Sequence, residues 1–285
     1  MSRIAYVNGS YIPQPQATTH IEDRGYQFAD GVYEVVALIG GKLLDFEPHI
    51  DRLDYSLNEL KIKQPVSRPA LRHIIHTVIQ KNRLKDGMVY LQVTRGVATR
   101  NHEFPQQSRP VLVITCRYIC QKKIETMRQH GIKVISLPDI RWARPDIKSI
   151  SLLPNILGKQ QAIEKGAYEA ILINRDGFIT ETNSTNFWII LENGVLQTHP
   201  ASQEILNGIT RQRLIQIANS IGLKIKEQPF TLDDAYVAKE AFLSSSISGI
   251  LPVTQINDYK LGTGQPGNIV SQLIQHYRQF SKDIS

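Results

Sequence analysis

The chain carries little cysteine. Cys116 and Cys120 are its only two in 285 residues. Two thiols four positions apart make neither a disulfide framework nor a four-ligand zinc site. They read as thiols in or beside a strand, in a protein suited to a reducing cytoplasm. No uninterrupted apolar stretch approaches membrane-spanning length, and the opening Met-Ser-Arg-Ile-Ala-Tyr-Val-Asn-Gly lacks an apolar signal core. The expectation is a cytoplasmic protein with no membrane partner. The net charge is +7, yet no block of five or six Lys/Arg appears. Nucleic-acid signatures are also missing, so nucleic acid is not expected as a partner. Internal repeats and low-complexity tracts are absent. His73 and His76 lie three apart on an expected helix without an acidic or cysteine companion, so no metal is expected. His199, before Pro200, has no partner that the sequence names.

The composition is that of an ordinary globular protein, with 41% hydrophobic and 21% charged residues. The length suits two domains. Ile4–Val7, Asn8-Gly9 and Tyr11-Ile12 read as a hairpin, as do Val32–Ile39, Gly40-Gly41 and Lys42–Phe46. Helices are expected over 47–60, with Ile50, Leu53, Leu57 and Leu60 inward and Arg52 off that stripe, and over 68–81. Strands follow at 88–94 and 111–117. Apolar periodicity then fails over 118–125. The expected division is an N-terminal domain over 1–119, a linker over 120–126, and a C-terminal domain over 127–285 that bears Lys148. In the second half, strands are expected at 132–136, 169–173, 186–191, 195–197 and 241–244. Helices are expected at 154–165 and 210–221, and a short one after Thr231, with Asp234 three residues on. The fold class is α+β, with two mixed α/β domains.

Two residues suggest chemistry. Lys148 sits in Asp-Ile-Lys-Ser (Asp146–Ser149), and Glu181 in Ile-Thr-Glu-Thr-Asn-Ser (Ile179–Ser184). A lysine can be linked covalently to an aldehyde cofactor, and a carboxylate can hold a pyridinium nitrogen protonated. Pyridoxal 5'-phosphate chemistry needs both. By themselves they read equally as a surface lysine and a turn glutamate. Gly208-Ile209-Thr210 precedes a helix, whose N-terminus favours an anion. Thr210 alternatively reads as a plain N-cap.

Longer motifs surround the pair. Glu22–Val36 reads Glu-Asp-Arg-Gly-Tyr-Gln-Phe-Ala-Asp-Gly-Val-Tyr-Glu-Val-Val. His-Ile-Asp-Arg-Leu stands at His49–Leu53, Thr-Arg-Gly at Thr94–Gly96 and Arg-Asn-His at Arg100–His102. Asp-Ile-Arg-Trp follows at Asp139–Trp142 and Asn-Gly-Ile-Thr-Arg at Asn207–Arg211. In this order and spacing, from about Asn8 to about Pro252, the chain resembles the D-amino-acid aminotransferases. These share the fold of the branched-chain aminotransferase family, fold type IV of the pyridoxal phosphate enzymes.

The resemblance implies a ping-pong transaminase exchanging the amino group between D-amino acids, such as D-alanine and D-glutamate, and 2-keto acids. It implies Lys148 as the catalytic tether, Glu181 at the cofactor ring nitrogen, and Arg52, Ile209, Thr210, Ser245 and Ser246 around the phosphate. Tyr33, Arg100 and His102 would grip the substrate carboxylate. The Arg100–His102 loop would be presented from the neighbouring subunit of a homodimer. Branched-chain L-amino-acid aminotransferases and aminodeoxychorismate lyases share the fold but lack that pair, and they stand as the alternative.

Overall fold

The computed structural model describes residues 3–284. The expected outer domain bounds at 1 and 285 lie outside the described residues. Contacts divide the chain into two compact units.

The first unit runs to Ile119 and includes Ile147–Ser151. Its sheet has six strands, antiparallel throughout, in the spatial order 10–13, 4–7, 111–117, 87–94, 31–39 and 42–43. The first hairpin forms as the sequence predicts, with Asn8 (φ 42°) and Gly9 (φ 106°) turning it. The second is shorter, because Asp45 turns left-handed (φ 49°) one residue before helix Phe46–Glu59. Helix Arg68–Lys81 matches its expected bounds. Ser67 accepts from the Ala70 amide at its start, and Leu71, Ile74, Ile75, Val78 and Ile79 are buried on one face. They join Val32, Leu38, Ile50, Leu53, Leu57, Val89, Leu91 and Ile114 in one core.

The region between the two halves also differs from expectation. Residues 121–130 are a helix, Gln121–His130, where the sequence suggests a linker over 120–126. It buries only Ile124, so its apolar signal is too thin to read. Lys148 belongs by contact to the first unit and not to the C-terminal one. The Tyr33 amide donates to the Lys148 carbonyl at 3.0 Å, and the Ile150 amide donates to Gly31 at 3.0 Å. Ile147 lies in the first unit's core. The segment is an extra extended edge on strand Gly31–Ile39, which no local periodicity reveals.

The second unit comprises Cys120–Asp146 and Leu152–Asp283. Its mixed sheet has nine strands, ordered 225–227, 196–198, 186–190, 240–245, 249–256, 132–138, 169–173 and 179–182, with 259–260 added against 249–256. Thr231 and Asp234 form a reciprocal capping box, as the sequence suggests. The sequence reading omits helix Asn268–Ile284. Val270, Leu273, Ile274 and Tyr277, all buried, recur at helical spacing and were a usable signal.

Candidate functional site

In the first unit the expected residues collect around a buried ion cluster. Glu34, one position after Tyr33 on strand Gly31–Ile39, is fully buried. Arg52 donates to both its oxygens, Nε to Oε1 at 2.7 Å and Nη2 to Oε2 at 2.9 Å. His49 Nδ1 lies 2.7 Å from Oε2. Burial pushes the Glu34 carboxyl up, and Arg52 with His49 overcomes this and holds it below the ordinary carboxylate range. His49 is lowered, by burial first. Arg52, off its helix's apolar stripe, is therefore buried by a charged partner. The sequence reading missed Glu34 and His49. Their signal lay within the quoted motifs, as charged or polar residues on otherwise apolar faces.

Lys148 adds a second cation. Its Nζ lies 4.3 Å from the centre of the Tyr33 ring, a cation–π contact. Its backbone amide donates to Ser56 Oγ at 3.2 Å. Glu34 is thus matched by Arg52 and His49, while Lys148 stands against the ring of the neighbouring Tyr33.

Arg100 and His102 lie on an exposed loop. The Arg100 guanidinium is 5.0 Å from the Phe28 ring centre, and the His102 ring is 5.6 Å from it. No hydrogen bond or ring contact joins either to Tyr33 among the described residues.

In the second unit Glu181, buried on strand Ile179–Thr182, is the centre. The Arg141 Nη1 and the Leu206 amide donate to Oε1, the latter at 3.1 Å, and Asn186 Nδ2 donates to Oε2 at 3.0 Å. Arg141 also donates to Asp139, Nε to Oδ1 at 3.0 Å and Nη2 to Oδ2 at 2.7 Å. Two carboxylates share one guanidinium, leaving surplus negative charge. Burial accordingly raises Glu181 above its ordinary value, with Arg141 opposing only in part. Asp139 is lowered: burial raises it, and its bonds from Arg141 prevail. Asp139 and Arg141 stand in the quoted Asp-Ile-Arg-Trp motif, yet the sequence alone gave them no role.

Asn186 links this centre to the start of helix Ile209–Ser220 through a bond to the Leu206 carbonyl at 2.9 Å. The helix N-cap is Gly208, not Thr210, and no side chain caps it. A Cβ on Gly208 would come within 2.1 Å of Asn186 Oδ1, so a larger residue there would displace the Asn186 side chain from its bonds. Thr210 and Ile209 lie buried in the uncapped first turn, whose amides suit an anion. On the neighbouring strand Ser244 pairs with Asn186, and its Oγ accepts from Trp188 at 2.9 Å. The turn after it places Ser245 Oγ 2.7 Å from Ser248 Oγ, with Ser246 between them.

His73 and His76 are exposed on their helix, and no group of three possible metal ligands occurs among the described residues. His199 is buried and does have a neighbour, Glu204, whose carboxylate lies 3.6 Å from Nε2.

These residues fit pyridoxal phosphate. Glu181 Oε2 keeps acceptor capacity beyond Asn186, and a cationic ring nitrogen would supply the opposite charge that its burial lacks. The uncapped helix start and the serine turn of the same unit offer neutral donors suited to a phosphate.

Comparison with known proteins agrees with this chemistry. The family described as amino-transferase class IV matches residues 31–256. The chain is 43% identical over 272 residues to a D-alanine aminotransferase of Listeria monocytogenes, covering 95% of this chain and 93% of that protein. It is 40% identical to the D-alanine aminotransferase of Bacillus licheniformis, with 93% of each covered. Among solved structures, the Escherichia coli branched-chain amino acid aminotransferase superimposes with a TM-score of 0.91 at 21% identity, covering 98% of this chain and 94% of that one. A hypothetical aminotransferase from Mycobacterium tuberculosis, in PLP-bound form, gives 0.85 at 20%, covering 96% and 97%. At such identities these two structures speak for the fold alone.

Proposed function

We propose, from the premise that this chain belongs to the class IV amino-transferase family, that it is a pyridoxal phosphate-dependent D-amino-acid transaminase. It exchanges the amino group between D-amino acids, D-alanine foremost, and 2-keto acids in ping-pong fashion. The observation that carries this reading is the Arg100–His102 pair, in a chain 43% identical over 95% of its length to a D-alanine aminotransferase.

When bound, pyridoxal phosphate supplies an electron-poor ring that accepts the electrons released as the substrate Cα–H bond breaks. Lys148 holds the cofactor and moves the proton at the substrate Cα. Glu181, backed by Arg141 and Asn186, keeps the ring nitrogen protonated. Ile209, Thr210, Ser245, Ser246 and Arg52 bind the phosphate, Arg52 being aimed by Glu34. Tyr33, Arg100 and His102 orient the substrate carboxylate, arginine through paired charge-assisted bonds. Which side of the ring holds the carboxylate decides which Cα hydrogen faces Lys148, and so decides handedness.

The enzyme acts as a cytoplasmic homodimer, with Arg100 and His102 reaching the partner's site. Exposed Ile21, Tyr26, Val97 and Phe104 beside that loop support a covered surface there. No helix among the described residues is long and apolar enough to cross a membrane.

The test is spectroscopic. Purified holoenzyme is mixed with D-alanine or L-alanine without a keto acid, and the cofactor absorbance is followed through a single turnover. Rapid bleaching by D-alanine and slow bleaching by L-alanine is expected. A preference for L-alanine would replace this reading with the branched-chain one.

A further inference from the structure

The loop that carries Arg100 and His102 is exposed, yet a carboxylate grip must be held in place to discriminate. The structure holds its base with ions. Asp30, immediately before strand Gly31–Ile39, accepts from two buried arginines. Arg24 Nε donates to Oδ2 at 2.8 Å. Arg95 donates from Nε to Oδ2 at 2.7 Å and from Nη2 to Oδ1 at 3.0 Å. The Arg24 and Arg95 side chains are 4% and 5% exposed. Each then reaches onward. Arg24 Nη1 donates at 2.6 Å to the carbonyl of Asn101, the residue between Arg100 and His102. Arg95 donates to the Leu60 and Lys61 carbonyls, at 2.7 and 3.2 Å, just past the helix that carries Arg52.

The base of the loop is tied as well. The Arg24 amide donates to Gly96 at 3.0 Å, and the Ala98 amide to Glu22 at 3.3 Å. A Cβ on Gly96 (φ 100°) would meet the Arg109 carbonyl at 2.0 Å, so the two ends of the loop close against each other. Phe28 serves as a shared platform. The Arg24 guanidinium lies 4.8 Å from its ring centre and that of Arg100 5.0 Å. The Phe104 ring covers Arg95 at 3.6 Å.

We infer that Asp30 and Arg24 are positioning residues for the substrate carboxylate: Asp30 fixes Arg24, and Arg24 fixes the backbone between Arg100 and His102. Resting on the transaminase reading above, this assigns the D-amino-acid grip a buried ionic foundation within the same unit. Asp30 acts through Arg24 and Arg95. A neutral residue at position 30 leaves two buried guanidiniums without their shared carboxylate, and the loop loses its anchor.

The experiment compares holoenzymes of wild type, Asp30→Asn, Arg24→Gln, Arg100→Ala and Asp30→Asn/Arg100→Ala in the D-alanine half-reaction. Apparent dissociation constant and limiting rate are separated by saturation. Loss of a hydrogen bond from a charged group should raise the constant for D-alanine at least about tenfold in Asp30→Asn and in Arg24→Gln. The limiting rate should change far less, and pyridoxal phosphate affinity should hold. In the double variant the loss should fall short of the sum of the single losses, since both act on the same grip, with only the share through His102 remaining once Arg100 is gone. Losses that add in full, or a D-alanine constant unchanged in folded Asp30→Asn, overturn the inference. Should Asp30→Asn not fold, Arg24→Gln decides, because it leaves the Asp30–Arg95 pair standing.

Trypsin cleavage after Arg100 gives a readout free of the chemistry. It should be faster in both positioning variants, and equal cleavage contradicts the anchoring. If wild type fails with D-alanine, the functional reading falls, while the cleavage rates still judge the anchor.

Discussion

Each unit buries a glutamate against an arginine, and the two pairs have opposite characters. In the first, Arg52 gives Glu34 both ends of its guanidinium fork and His49 adds a further bond, and the acid is held below its ordinary range. In the second, Arg141 is divided between Glu181 and Asp139; burial prevails at Glu181, and the cluster is negative overall. A buried acid and base therefore do not by themselves define a local field. How many partners share the base defines it.

Breaking the comparison at Lys148 should have the largest effect. Lys148→Ala is expected to abolish turnover while the second unit's residues still retain pyridoxal phosphate. Borohydride reduction of wild type should fix the cofactor to one peptide, and mass spectrometry should find Lys148 in it.

Next come the two glutamates. Glu34→Ala leaves Arg52 buried without its carboxylate and should destabilise the protein by about 3–5 kcal/mol in denaturant unfolding. Glu181→Gln should cost much less, because Arg141 keeps Asp139. Equal losses would mean that the sharing of Arg141 has no energetic consequence.

The carboxylate grip follows. Arg100→Ala should lower the D-alanine specificity constant at least about tenfold, and His102→Ala less, with cofactor binding nearly unchanged. Steady-state kinetics check this.

The smallest expected effect is on pH dependence, and its sign differs between the two glutamates. Glu34, lowered on folding, contributes stability that is present above the unfolded carboxylate value of about 4.3 and is lost as pH falls towards its folded value. Glu181, raised on folding, contributes in the opposite sense: its share is present below that value and is lost as pH rises through its folded value. Urea unfolding of cofactor-free Glu181→Gln between about pH 4 and pH 7 should show less loss of stability with rising pH than wild type.

The sequence made part of this legible. Helix Arg68–Lys81 and the capping box at Thr231 follow from local periodicity and local hydrogen bonding, so their bounds could be read directly. Lys148 and Glu181 stood out through their motifs. Glu34, His49, Asp139 and Arg141 lay in those motifs too, but the pairs that bury Glu34 and Glu181 join residues 15 to 40 apart in the chain, and no spacing rule reaches across elements. Long-range pairing of this kind also explains Lys148. Its place in the first unit depends on backbone bonds to Gly31–Tyr33, made after more than a hundred intervening residues.

The role of Glu181 is tested most directly at the ring nitrogen. Holoenzyme made with ¹⁵N-labelled pyridoxal phosphate, in wild type and in Glu181→Gln, reports the nitrogen's protonation through its NMR chemical shift at neutral pH. A protonated nitrogen in wild type and a deprotonated one in Glu181→Gln is the expected result. The same shift in both proteins would contradict that role for Glu181.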